Sequence, residues 1–184
     1  MTLYPVFFDL RGQRAVVVGA GEVALRKTRG LLAADALVTV IAPEVHRDFE
    51  SLDVNILARG YQQGDLQGAR LIFACTSQPD VNDEVAAHAR ALGVFCNHAS
   101  SPERGDLRLG AVLIQGPLQV AVNSGAELPH LAQALRDKLS HCLPTDLPIP
   151  AWSARREAAL TLPEPQRALV LSTLKAEIRK AVGL

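Results

Sequence analysis

The six residues Gly19-Ala20-Gly21-Glu22-Val23-Ala24 hold the spacing in this chain that is most specific for chemistry. They fit G-x-G-x-x-A, and the task that spacing serves is holding a diphosphate. Gly19 permits a tight turn, Gly21 lets the backbone approach a pyrophosphate, and Ala24 is small enough for a helix to lie close to its strand. The amides of Glu22 and Val23 would open that helix with no partner inside it and would face the anion along the helix dipole. Other candidates stand at the ends of apolar runs: Pro43 and Glu44, Thr76, and the group Asn97, His98 and Ser100, with Asp106 a few residues on.

The elements that must position these residues are readable from periodicity. Residues 15–18 are apolar and β-branched, as in a strand buried on both faces. A helix follows the glycine loop, with Leu25, Leu31 and Leu32 on one side, and ends around residues 33–35. Residues 37–42 form a second buried strand closed by Pro43, completing a βαβ unit with a parallel pair and a right-handed crossover. Glu44 comes just after the usual place of a ribose-binding acid; it either reaches a ribose hydroxyl or serves as a helix N-terminal carboxylate. No arginine directly follows the strand, although Arg47 is near, which favours NAD over NADP.

Residues 54–57 read as an outer strand and 71–75 as a fourth, after which Thr76 is placed to line the nucleotide crevice. A helix opens at residue 80 and stops at Gly93, with His88 expected on its exposed side. A fifth strand, 94–96, delivers Asn97 to Ser101 to the same edge. Residues 111–114 and 118–122 flank Gln115-Gly116-Pro117 as a hairpin with one half-buried strand. Residues 129–141 form a helix with Leu131, Leu135 and Leu139 as its apolar stripe. Pro144, Pro148 and Pro150 mark a linker, and 152–160 and 165–182 are two terminal helices. The expected fold is α/β: a Rossmann-type parallel sheet domain (1–110) for NAD, a small α+β segment (111–145) to which the family resemblance given below assigns dimerisation, and a C-terminal helical domain (146–184).

Composition narrows the class. Nineteen basic and nineteen acidic residues cancel, so no global field attracts nucleic acid. No window approaches the roughly 18 apolar residues of a spanning helix, and the N-terminus lacks a signal-peptide pattern; a cytoplasmic protein without membrane partners is expected. The three cysteines are an odd number without Cys-x-x-Cys, which argues against a disulfide framework or zinc knuckle. Cys75 and Cys96 read as small buried hydrophobes, and no metal-ligand cluster stands out.

The pattern resembles the precorrin-2 dehydrogenase family, the module that also forms the dehydrogenase and ferrochelatase part of sirohaem synthases. The resemblance is carried by Tyr4-Pro5-Val6-Phe7, residues 18–27 with Arg26-Lys27 as the most distinctive pair, residues 38–44, Ala74-Cys75-Thr76, Phe95-Cys96-Asn97, residues 116–122, and residues 135–139 with Leu143-Pro144. It covers residues 1 to about 145. It implies NAD-dependent oxidation of precorrin-2 to sirohydrochlorin, ferrous iron as a further substrate in some members, and a homodimer in which residues 111–143 intertwine with the partner. Arg104, Arg108, Arg136 and Lys138 are then candidate partners for the substrate's carboxylates, or simply a solvated basic surface.

Two departures from the family pattern stand out. Where the family places an aspartate proposed as general acid/base, this chain has Ser100, whose hydroxyl needs its own activating base. Asp106 or His98 takes over that role, or hydride loss needs little base assistance, or the chemistry has been lost and a coenzyme- and tetrapyrrole-binding protein remains. His98 reads equally as a satisfied loop histidine. The family's Ser-Gly-Gly-x-Ser-Pro turn is here Ser124-Gly125-Ala126-Glu127-Leu128-Pro129.

Overall fold

The computed structural model describes residues 3–125 and 128–184. The chain divides into two compact units, Leu3–Leu109 and Gly110–Leu184, so the hairpin segment and the terminal helices share one unit.

The first unit is built on β1 (Arg14–Val18), α1 (Glu22–Leu32), β2 (Leu37–Ile41), β3 (Asn55–Leu57), β4 (Leu71–Ala74), α2 (Pro79–Ala91) and β5 (Phe95–His98). Its sheet is parallel throughout, in the order β3-β2-β1-β4-β5. β1 is continuously apolar from Ala15 to Val18 because both its faces are covered there. Ala15 and Val17 pack with Leu25 and Leu31 of α1, while Val16 and Val18 pack with Val85 and Ala89 of α2. The two helices therefore sit on opposite faces, and the strand order reverses between β1 and β4. In open sheets of this kind the crevice at the strands' carboxyl ends lies at that reversal.

Several boundaries differ from those read in the sequence. β5 runs on through Asn97 and His98, both poor strand formers, because they pair with Phe73 and Ala74 of β4. The polar stretch 61–69 holds a 3₁₀ turn, Gln63–Leu66, that places Leu66 fully inside. His88, expected on an exposed face, is half-buried, with Nδ1 2.9 Å from the Tyr61 hydroxyl. Burial, the first cause, pushes the Tyr61 phenol up to about 12, so that hydroxyl stays protonated.

The second unit opens with the antiparallel pair β6 (Ala111–Gln115) and β7 (Leu118–Val122). The two-residue loop Gly116-Pro117 has Gly116 at φ +56, as the first position of a II′ turn requires, while proline's fixed negative φ suits the second. Both strands, not one, alternate half-buried with exposed. Val112 and Ile114 show 51% and 62% of their surface.

α3 (Pro129–Cys142) packs on this hairpin, yet it buries Ala132, and the Leu131, Leu135 and Leu139 stripe faces out. In the turn before it, Ser124 Oγ accepts from the Leu128 amide at 2.9 Å; Ala126 and Glu127 lie outside the described residues. α4 (Ile149–Leu160) and α5 (Gln166–Ala181) pack together. α4 starts earlier than read from sequence, since Pro150 fits its first turn. The Trp152 indole donates to Glu177 Oε1 at 2.9 Å.

Candidate functional site

The glycine turn lies where β1 ends. Gly19 takes φ +110, and its amide donates to the Ile41 carbonyl at 2.8 Å. A Cβ there would stand 2.5 Å from the Cys75 carbonyl oxygen, so this glycine is demanded by the backbone leaving β4. Gly21 is different. It caps α1 in an extended conformation, and a Cβ on it would meet nothing within 4 Å. Nothing among the described residues requires it to be glycine; it keeps open the space in front of the helix. No side chain caps α1, and its first internal bond is from the Leu25 amide to the Gly21 carbonyl at 2.9 Å. The Glu22 and Val23 amides are thus left facing outward, which is the arrangement that receives an anion. Ala24, fully buried, sets the helix against the sheet. These residues fit the diphosphate of a dinucleotide.

Pro43 and Glu44 are exposed in the segment after β2. That segment is tied back to the glycine turn by the His46 amide, which donates to the Ala20 carbonyl at 3.0 Å. Arg47 is 90% exposed and 3.7 Å from Asp48.

Thr76, beyond β4, is held rather than open. Its amide donates to Asn82 Oδ1 at 2.9 Å, its hydroxyl lies 2.8 Å from the same oxygen and 2.9 Å from the Gln78 carbonyl, and Asn82 Nδ2 donates to the Thr76 carbonyl at 3.0 Å. Asn82, buried in the first turn of α2, is the anchor of this loop. It went unnoticed in the sequence because an Asn two residues after a helix start is unremarkable on its own.

At the end of β5 the side chains are engaged by protein. Asn97, expected to meet the cofactor, is buried; its Oδ1 accepts from Lys27 Nζ at 2.7 Å and its Nδ2 donates to the Leu107 carbonyl at 2.9 Å. Lys27 was visible only as half of a distinctive Arg-Lys pair.

His98 is 1% exposed. Its Nδ1 accepts from the Ser101 amide at 3.0 Å, which puts the ring proton on Nε2, and that nitrogen donates to Asp83 Oδ1 at 3.0 Å. Both nitrogens are therefore occupied, so the ring offers no lone pair to a substrate. Asp83 also receives the Arg104 guanidinium, the main cause holding its carboxyl below the usual range.

Ser100 and Asp106 are both exposed. The Asp106 amide donates to the Cys96 carbonyl at 2.9 Å, so the segment returning from the loop lies along β5. Among the cations considered for substrate carboxylates, Arg104 is on Asp83, Arg108 donates to the Gly105 carbonyl at 3.0 Å, and Arg136 is on Asp137. Lys138 is exposed.

The thiols of Cys75 and Cys96 are buried, and that burial pushes them up to about 11 and about 12; they remain protonated and un-nucleophilic. Among the described residues no three His, Cys, Asp or Glu side chains converge on a metal-sized site, and no helix is long and apolar enough to cross a membrane.

A doubly wound parallel sheet with a glycine turn and an uncapped helix at its carboxyl edge defines a Rossmann-type dinucleotide-binding fold. Residues 6–111 match the NAD(P)-binding family model NAD_binding_7, and the chain belongs to that family. It is 42% identical over 149 residues to siroheme synthases of Pseudomonas entomophila (strain L48) and Pseudomonas putida (strain W619), and 40% identical to that of Pseudomonas aeruginosa (strain UCBPP-PA14). Each alignment takes in 79% of this chain and 32% of the relative, so the chain spans about a third of the length of these proteins. Among solved structures, SirC, a precorrin-2 dehydrogenase, shares the fold with a TM-score of 0.71 at 22% identity, covering 94% of this chain and 89% of that one.

Proposed function

We propose that this chain is an NAD-dependent dehydrogenase that converts precorrin-2 to sirohydrochlorin in sirohaem biosynthesis. The observation that carries the reading is the open, uncapped N-terminus of α1 at the β1/β4 reversal, where Gly21 has no structural reason to be glycine. The siroheme synthase relatives and the SirC fold neighbour supply the substrate class.

In this reading the Glu22 and Val23 amides hold the diphosphate, and Glu44, exposed after β2, takes a ribose hydroxyl, which favours NAD. Bound oxidised nicotinamide supplies a hydride acceptor. The substrate loses two hydrogens, one as hydride to that ring and one as a proton. Neither Ser100, which has no activating partner among the described residues, nor His98, engaged at both nitrogens, is suited to take the proton. Asp106 is left as the acceptor among the three candidates. The relatives and the fold neighbour carry the names of working enzymes, which supports turnover over a coenzyme-binding protein without chemistry.

The reading extends to a cytoplasmic homodimer formed through the hairpin and α3, whose apolar residues Val112, Ile114, Leu131 and Leu135 lie exposed in the single chain. A two-stranded hairpin is marginal without a further surface to pack on. Insertion of ferrous iron as a second substrate has no convergent donor set behind it among the described residues, and the proposal is confined to the dehydrogenation.

The test mixes purified protein with precorrin-2 and NAD and follows the visible spectrum. Sirohydrochlorin and NADH appearing together is the expected result. Their absence, alongside a positive control that works, overturns the reading.

A further inference from the structure

Lys27 has no part in the chemistry above, yet its position is costly. It lies half-buried on α1, with Nζ 5.7 Å over the Phe73 ring. Among the described residues no carboxylate pairs with it. Burial is the leading cause that lowers its pKa, and the nearby Arg26 adds to that. A buried cation without an acidic partner is disfavoured, and a methionine of similar length would fill the same place without desolvating a charge. What the charge does here is direct an amide. Lys27 carries only donors, so its bond at 2.7 Å fixes Oδ1 of Asn97 toward α1 and turns Nδ2 to the Leu107 carbonyl at 2.9 Å.

The segment so held is in tight register with β5. The Asp106 and Leu107 amides both donate to the Cys96 carbonyl, at 2.9 and 3.1 Å. A Cβ on Gly105 would stand 2.6 Å from that same oxygen and 2.8 Å from the His98 nitrogen. A line of hydrogen bonds therefore runs from α1, whose N-terminus offers its amides to a dinucleotide, through Asn97, to the backbone flanking Asp106.

We propose that Lys27 is a positioning residue: acting through the Asn97 amide, its ammonium fixes the segment carrying Asp106 in register with the dinucleotide-binding helix. The proposal rests on the dehydrogenase reading above, since it assigns what that positioning serves.

The experiment compares wild type with Lys27→Met and with Lys27→Gln, which keeps a donor and drops the charge, so that one variant carries the test if the other fails to fold. Three quantities are measured: steady-state kinetics with precorrin-2, NAD affinity by calorimetry, and hydrogen exchange at the Asp106 and Leu107 amides. Lys27→Met is expected to lower kcat by about tenfold or more, because small misplacements of a reacting group are expensive. The Kd for NAD should stay within about twofold, since backbone amides make that cradle. Exchange at the two amides should quicken about tenfold in Lys27→Met and by less in Lys27→Gln, which keeps a donor but adds an acceptor that no longer fixes the direction of the Asn97 amide.

Unchanged exchange with unchanged kcat overturns the proposal. So does a weakened Kd for NAD with kcat at saturation retained, which would make Lys27 a coenzyme contact. Loss of thermal stability alone, with kinetics intact, makes it structural only. If wild type turns over no precorrin-2, the dehydrogenase reading fails, and the exchange data still decide whether Lys27 holds the segment.

Discussion

Gly19 and Gly21 stand two apart in one turn and answer to different forces. Gly19 is held by the polypeptide: a left-handed φ and a carbonyl 2.5 Å from where its Cβ would be. Gly19→Ala should therefore cost at least about 2 kcal/mol, combining backbone strain with overpacking, measured by urea denaturation followed by far-UV circular dichroism. Gly21→Ala should unfold within about 0.5 kcal/mol of wild type, as changes at unconstrained surface positions do. It should nonetheless weaken NAD binding about tenfold or more by calorimetry, a loss of about 1.4 kcal/mol. Equal stability loss in both variants would remove the contrast. Ser100 makes a second prediction at this scale. An aspartate there would add a second carboxylate to the base role assigned to Asp106, and a positioned base is typically worth about 10²–10⁴-fold, so Ser100→Asp should raise kcat for precorrin-2 with little change in the KM for NAD. No rise would show that proton removal does not limit the reaction.

Between elements, the structure is held by short side-chain clamps, and these are what the sequence concealed. Strands β1, β2 and β4 were legible because a strand covered on both faces needs a near-continuous apolar run, and the glycine turn was legible because its spacing is specific. Lys27 and Asp83 were not, since each acts on a partner well along the chain that only the sheet order brings near, and Asn82 was not, since its clamp on Thr76 is local but carries no distinctive spacing. The β5 boundary failed for the same reason: pairing with β4 overrides the low strand propensity of Asn97 and His98. The apolar stripe of α3 was read correctly as a stripe, but periodicity does not say whether a face meets its own chain or something else.

Asp65 is another such clamp. The Arg59 guanidinium grips it at 2.6 and 2.8 Å, the main cause lowering its pKa, and the Gln62 amide adds a third bond. A carboxyl depressed in the folded state leaves the unfolded chain binding more protons, so stability rises with pH through that window. The contribution is full above the unfolded value of about 3.9 and is lost as pH falls through the lower folded value. Asp65→Asn should flatten, without abolishing, the acid limb of a stability-versus-pH curve below about pH 4, because Asp9 and Asp83 are depressed as well. An unchanged limb would mean that the Arg59 and Gln62 bonds do not favour the ionised carboxylate over the protonated one.

For the molecule as a whole, the exposed side chains of the second unit set an expectation about assembly. Ile114 is 62% exposed on a hairpin strand. Ile114→Lys should convert a sedimenting dimer to monomer at micromolar concentration while leaving the far-UV spectrum unchanged; a wild type that sediments as a monomer would end the dimer reading. The placement of Trp152 has a further consequence. It is the chain's only tryptophan, buried between α4 and α5 with its indole on Glu177. Its fluorescence therefore reports the melting of the two terminal helices and is silent about the first unit, whose own chromophores are Tyr4 and Tyr61. Superimposable tryptophan emission and backbone ellipticity curves in denaturant would show that the units lose structure together, and separated midpoints would show a nucleotide-binding half that outlives, or is outlived by, its helical companion.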